Sequence, residues 1–173
     1  MKKITIILVL LISFSSCKSS KRIVTKKSKT TKITPLKTSE RETNSTLLAN
    51  KIVNYAKQFN GVRYKYGGTT KKGMDCSGLV ITAFKSENIL LPRTTGDLSV
   101  TGDWIDLKEV QKGDLLFFAT RKNSRSVNHV GIVTNSRAGY VEFIHSSTSK
   151  GVIISNLAER YWYFAFVQAR RVL

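Results

Sequence analysis

The residue types able to act as nucleophile and proton carrier are scarce enough to trace one by one, since the 173 residues hold two cysteines and two histidines. Cys76 stands in Asp75-Cys76-Ser77-Gly78, ahead of the apolar run LVITAF. Asp is a good helix N-cap, so Cys76 is expected in the first turn of a helix. Unpaired N–H groups and the positive end of the helix dipole favour a thiolate there, which predicts a lowered thiol pKa. The same N–H groups suit an oxyanion on a substrate. A thiolate nucleophile also needs a proton carrier. His129 opens HVGIVTN and His145 lies in EFIHSS, both of which read as short strands. Neighbouring antiparallel strands bring one residue from each within hydrogen-bond reach. His129 is then the base and acid for Cys76, and His145 orients it. A small buried Cys and two packed His form the competing reading. The only two His on adjacent apolar strands, downstream of a helix-capping Cys, favour the chemistry. A zinc site is disfavoured, because one Cys and two His lack the local ligand spacing and a fourth ligand. No metal or organic cofactor is expected.

The elements that must position these groups follow from periodicity. Leu48, Ile52, Tyr55, Ala56 and Phe59 recur at helical spacing and predict a helix from Thr46 to Asn60, stopped by Gly61. A glycine-broken loop, GVRYKYGGTTKKGMD, leads to Cys76 and a buried helix to about Lys85. Short strands are predicted at Asp114 to Thr120, His129 to Thr134, Tyr140 to Ser146, Gly151 to Ser155 and Tyr163 to Val172. Helices followed by a run of antiparallel strands make an α+β fold.

Charge and the N-terminus place the domain. The chain has 29 Lys+Arg against 11 Asp+Glu, a net +18 that would ordinarily point to nucleic acid or an anionic surface. Half of that excess lies before residue 47, so a compact nucleic-acid reader is not the first inference and no nucleic-acid partner is expected. Lys2 and Lys3 precede an apolar stretch from Ile4 to Phe14 and then Ser15-Ser16-Cys17, the pattern of a secretory signal. The stretch is shorter than the roughly 20 residues needed to span a bilayer. Residues 18–45 are rich in Lys, Thr and Ser without helical or strand period, and read as a disordered basic tether. As a flexible coil it would span roughly 30 Å. The expected organisation is 1–16 signal peptide, 17–45 tether and 46–173 folded domain. With Cys17 used elsewhere, Cys76 has no disulfide partner, and an unpaired thiol outside the cytoplasm has to be buried or used.

The segments YGGTTKKGMDCSGLV, LPRTTGD, QKGDLLFF, NHVGIV and FIHSS resemble, in that order, those of the NlpC/P60 cysteine peptidases, over about residues 47–173. The tail YW…ARRVL is most similar to the Spr-type murein endopeptidases within that family. The resemblance implies a pared-down papain-like fold, with the nucleophile at a helix N-terminus packed on an antiparallel sheet. It implies Cys76 as nucleophile, His129 as base, His145 as the third polar group, and Tyr64 beside the nucleophile as an oxyanion or cleft residue. Asp75 and Ser77 match positions that cap the catalytic helix and line the cleft, and Arg93 is expected to meet a substrate carboxylate. Gly67 and Gly68 are expected to let the backbone approach substrate. One departure is Leu98, where relatives often have Gln. FSSC resembles a lipobox, implying cleavage before Cys17 and its lipidation. The implied protein is a monomeric lipoprotein of a Gram-negative outer membrane, facing the periplasm. The implied substrate is a peptidoglycan stem peptide, cut at the D-Ala to meso-diaminopimelate cross-link. Cleavage between D-Glu and diaminopimelate, or wall binding without turnover, are the alternatives.

Overall fold

The structure, a computed structural model, describes residues 36–173, with side chains from residue 42. Residues 1–35, which hold the expected signal peptide, Cys17 and most of the expected tether, lie outside the described residues. Helix α1 runs Leu36–Lys57, and its chain turns at Gly61, which takes φ 83°. The periodicity predicts a start at Thr46, so residues 36–45, assigned above to the tether, are helical instead. Nucleation is the costly step in helix formation. Once Ala49, Ile52, Val53 and Ala56 are buried, the Lys, Glu and Arg residues upstream extend the same helix cheaply. The glycine-broken loop holds a small hairpin, β1 (Thr69–Thr70) and β2 (Gly73–Met74), and delivers the chain to helix α2, Cys76–Lys85. A single turn, α3 (Thr95–Leu98), follows.

The rest is a six-stranded antiparallel sheet. Its strands are β3 (Asp103–Ile105), β4 (Leu115–Phe118), β5 (His129–Arg137), β6 (Tyr140–Ser147), β7 (Gly151–Asn156) and β8 (Phe166–Arg171). They lie in the order β3-β8-β4-β5-β6-β7. The strand predicted from Tyr163 to Val172 forms as β8 from Phe166 onward, while its first three residues belong to helix α4, Arg160–Ala165. The run RYWYFAF has the aromatic content of a strand, but its buried residues are Trp162 and Ala165, a helical spacing. Strand β3, three residues on the sheet edge, is too short to read from pattern.

Alternation along the strands divides the core into two layers. Leu115, Phe117, Val130, Ile132, Ile144 and Val152 pack with α1 and α2. Leu116, Phe118, Val133, Phe143 and Ala169 pack on the other face with Trp162 and Ala165 of α4. Leu98 is fully buried in the first layer. The departure at that position is therefore a core residue and not a change in the cleft.

Candidate active site

Asp75 caps α2 as its type predicts, with Oδ1 accepting from the Gly78 N–H at 2.7 Å. Its Oδ2 accepts from the Gly67 N–H at 2.7 Å and from Arg93 Nη2 at 2.7 Å, and Arg93 Nη1 donates to Ser77 Oγ at 2.7 Å. Burial opposes ionisation of Asp75, yet the hydrogen bonds from Arg93, Gly78 and Gly67 outweigh it and hold the carboxyl below its usual range. Asp75, Ser77 and Arg93 thus come together, bonded to one another beside Cys76, and Arg93, expected to meet a substrate carboxylate, here pairs with the Asp75 carboxylate. Gly78 makes that arrangement possible, since a Cβ there would stand 2.1 Å from the Gly68 carbonyl oxygen. Gly67 and Gly68 are in this way tied into the helix start by backbone contacts.

Cys76 is a free, buried thiol in the first turn of α2. Its sulfur lies 3.6 Å from Thr95 Oγ1, and the backbone N–H groups of Val130 and Ser77 also face it. The helix N-terminus predicts a lowered pKa, but the structure gives the reverse. Burial pushes the thiol up, and the hydrogen bonds from Thr95, Val130 and Ser77 only partly offset it. Tyr64, bridged to Met74, is half-buried; burial and the neighbouring Cys76 both push its hydroxyl up, so it sits within electrostatic reach of the sulfur.

The two histidines meet across β5 and β6. His129 Nε2 and His145 Nδ1 are 2.9 Å apart, and His145 Nε2 lies 3.0 Å from Ser155 Oγ on β7. Room for this contact comes from Gly131, whose added Cβ would stand 2.6 Å from a Phe143 ring carbon and 3.2 Å from His145 Cβ. Trp162 stacks on His129 at 5.5 Å and 21°, and meets His145 edge-on at 4.6 Å. Phe143 closes on His145 at 5.0 Å. Burial in this aromatic box lowers His129 to about 4, and burial together with the His129 charge lowers His145 to about 3. Both rings are therefore neutral at pH 7, and the resting pair is thiol and imidazole. With Nε2 committed to His145, Nδ1 of His129 is the ring nitrogen left without a partner in that pair. A neutral imidazole pair of this kind is chemically able to accept and return a proton.

Sequence reasoning missed Thr95, Ser155 and Trp162. Thr95 sits inside the LPRTTGD segment, two residues after Arg93, and its type alone gives it no mark. Ser155 could have been found from its place opposite Phe143 on β7, diagonal to His145. Trp162 stood out only as part of the YW pair of the tail, with no role at the histidines attached to it.

A cysteine at a helix N-terminus, set against an antiparallel sheet that carries a hydrogen-bonded imidazole pair, defines the papain-like class of thiol-nucleophile domains. The NlpC/P60 family matches residues 61–171, and the chain belongs to it. It is 44% identical over 114 residues to a protein of Haemophilus influenzae named probable endopeptidase NlpC homolog, covering 65% of this chain and 57% of that one. It is 40% identical over 124 residues to an Escherichia coli protein named murein DD-endopeptidase MepS/murein LD-carboxypeptidase, covering 71% and 62%. A crystal structure of an NlpC/P60 family protein from Bacillus cereus superposes with a TM-score of 0.66 at 36% identity, covering 72% of this chain and 40% of that one. The match thus spans about three fifths of the curated relatives.

Proposed function

We propose that the protein is a cysteine endopeptidase that hydrolyses peptidoglycan stem peptides, at the D-Ala to meso-diaminopimelate cross-link. The observation that carries this is the 2.9 Å contact between His129 Nε2 and His145 Nδ1, across β5 and β6 inside the sheet, where β5 packs against the Cys76 end of α2. The endopeptidase names of the relatives support the reaction class, and the DD-endopeptidase name of the E. coli relative supports the bond.

In this mechanism the Cys76 proton passes to Nδ1 of His129 as sulfur attacks the scissile carbonyl carbon. The resulting oxyanion is held by N–H groups at the start of α2, with Tyr64 beside it. Collapse breaks the C–N bond, and His129 returns the proton to the leaving amine. Water, deprotonated by His129, then hydrolyses the thioester. The positive charge of the domain suits a substrate bearing D-Glu and diaminopimelate carboxylates. The protein acts as a monomer held at the outer membrane, facing the periplasm, through lipidated Cys17. More than one acyl chain is needed for stable anchoring.

Full-length protein is expected to release new amino groups from sacculi, with the Cys76→Ala variant releasing none. Mass spectrometry of the products identifies the bond; fragments ending at D-Glu instead of D-Ala would overturn the cross-link assignment. Wall binding by the wild type without turnover would sink the enzymatic reading. An unmodified Cys17 in the mature protein would remove the membrane anchor.

A further inference from the structure

The imidazole pair does not end at His145. His145 is fully buried, and its Nε2 lies 3.0 Å from Ser155 Oγ on β7, itself buried. Among the described residues, the only titratable group acting on His145 is His129. A neutral hydroxyl, and not a carboxylate, therefore terminates the chain. Such a group cannot hold His145 as a cation; what it can decide is which ring nitrogen carries the proton.

The polarity of the chain follows from donor and acceptor counts. To accept the Cys76 proton, His129 needs its lone pair on Nδ1, so its own proton sits on Nε2 and is donated to His145. His145 must then accept at Nδ1 and carry its proton on Nε2, which donates to Ser155 Oγ. The reverse chain is equally well bonded and chemically dead. If Ser155 donates to His145 Nε2, the His145 proton moves to Nδ1 and is donated to His129 Nε2. That leaves His129 protonated on Nδ1, with no lone pair for the thiol. One hydroxyl orientation thus separates a competent base from an incompetent one.

We propose that Ser155 is a positioning residue that accepts a hydrogen bond from His145 Nε2–H and thereby sets the tautomers of both histidines, so that Nδ1 of His129 is free to act as base. This rests on the Cys76–His129–His145 reading of the site, and deepens it by one residue. Ser155 acts through two rings and touches neither substrate nor sulfur.

The test is histidine nitrogen NMR on the full-length protein at neutral pH, together with kinetics on purified cross-linked muropeptides. Wild-type His145 is expected as the Nε2–H tautomer and His129 likewise. Ser155→Ala is expected to populate the Nδ1–H tautomers and to lower kcat by about 10- to 100-fold with KM little changed. Ser155→Thr, which keeps the oxygen, is expected to restore both the tautomer and most of the rate. Finding Nδ1–H on wild-type His145 would overturn the proposal without recourse to any variant. So would a Ser155→Ala protein with unchanged tautomers and a wild-type kcat. The underlying catalytic reading is checked separately by the rate of iodoacetamide with Cys76: if His129→Ala leaves that rate unchanged in the wild-type Ser155 background, the Cys76–His129 pairing fails whatever the tautomer of His145.

Discussion

At Cys76 two influences act against each other. Burial raises the thiol pKa, while Thr95, Val130 and Ser77 supply the hydrogen bonds that favour the thiolate. Thr95 is the one of the three whose contribution a substitution removes cleanly, because its hydroxyl faces the sulfur at 3.6 Å. Replacing it by Val keeps the shape and deletes the donor. A hydrogen bond to a charged group is worth about 1.5–3 kcal/mol, and one pKa unit corresponds to about 1.4 kcal/mol. Thr95→Val is therefore expected to move the pH midpoint of Cys76 alkylation upward by about one to two units, with Thr95→Ser near wild type. An unmoved midpoint would mean that the backbone N–H groups alone poise the sulfur. Gly131 carries a second prediction at this scale. An Ala Cβ at 2.6 Å from Phe143 and 3.2 Å from His145 forces one of those rings to shift. A displacement near 1 Å in a catalytic array costs roughly 100-fold, so Gly131→Ala is expected to lower kcat by about that factor while the fold persists. A Gly131→Ala protein with the wild-type kcat would show that the ring pair tolerates displacement.

Among the elements, the join between β8 and the turn before β4 ties the last strand to the sheet. Arg171 Nε and Nη2 grip the two Asp114 oxygens at 2.9 and 2.8 Å, and Arg171 Nη2 also donates to the Glu109 carbonyl at 2.9 Å. Asp114 is almost fully buried and also accepts from the Gln111 N–H at 2.7 Å. Removing Arg171 leaves a buried carboxylate without its partner, which is costly even though the guanidinium is partly exposed. Arg171→Met is expected to lose about 2–3 kcal/mol in urea unfolding, and the double variant Arg171→Met/Asp114→Leu to recover part of it. Equal losses in the single and double variants would show that Asp114 serves the turn alone. The segments QKGD and ARRVL were legible as family-like, yet nothing in the sequence said that they touch. Contacts between distant segments are set by sheet order, which strand patterns do not encode. The α2 N-cap was readable because it is local, residue 75 bonding to residue 78. The strands β5 and β6 were readable because their alternation survives burial. Helix α4 was not, because Trp162 and Ala165 make too short a helical period to outweigh four flanking aromatics with strand propensity. The same logic explains the site: Cys76, His129 and His145 stood out by scarcity, whereas Thr95, Ser155 and Gly131 are common residues whose meaning appears only once strands are paired.

For the molecule as a whole, the buried imidazoles link folding to pH. His129 is held down to about 4 by burial, and His145 to about 3 by burial and the His129 charge. In the unfolded chain each returns to about 6.5. Between those values the unfolded chain binds protons that the folded protein refuses. Stability therefore rises with pH across this window and falls as the medium is acidified from about 6.5 toward 4. Both contributions are fully present above 6.5 and fully lost below the folded values. Asp75 acts lower still: its carboxyl is depressed, so its contribution is present above the unfolded carboxylate value and lost only as pH falls through the folded one. The expected result is a urea midpoint that is level above pH 7 and declines between 6.5 and 4, with a slope approaching two protons. His145→Gln should halve that slope while leaving its direction unchanged, because His129 still titrates. A midpoint level down to pH 4.5 would mean that the aromatic box admits the imidazolium forms, and that the resting pair is an ion pair instead of thiol and imidazole. On the proposed mechanism, with His129 as the base, the same burial places the acid limb of kcat/KM near 4, so activity should outlast the usual histidine range and fail at low pH through unfolding as much as through loss of the base.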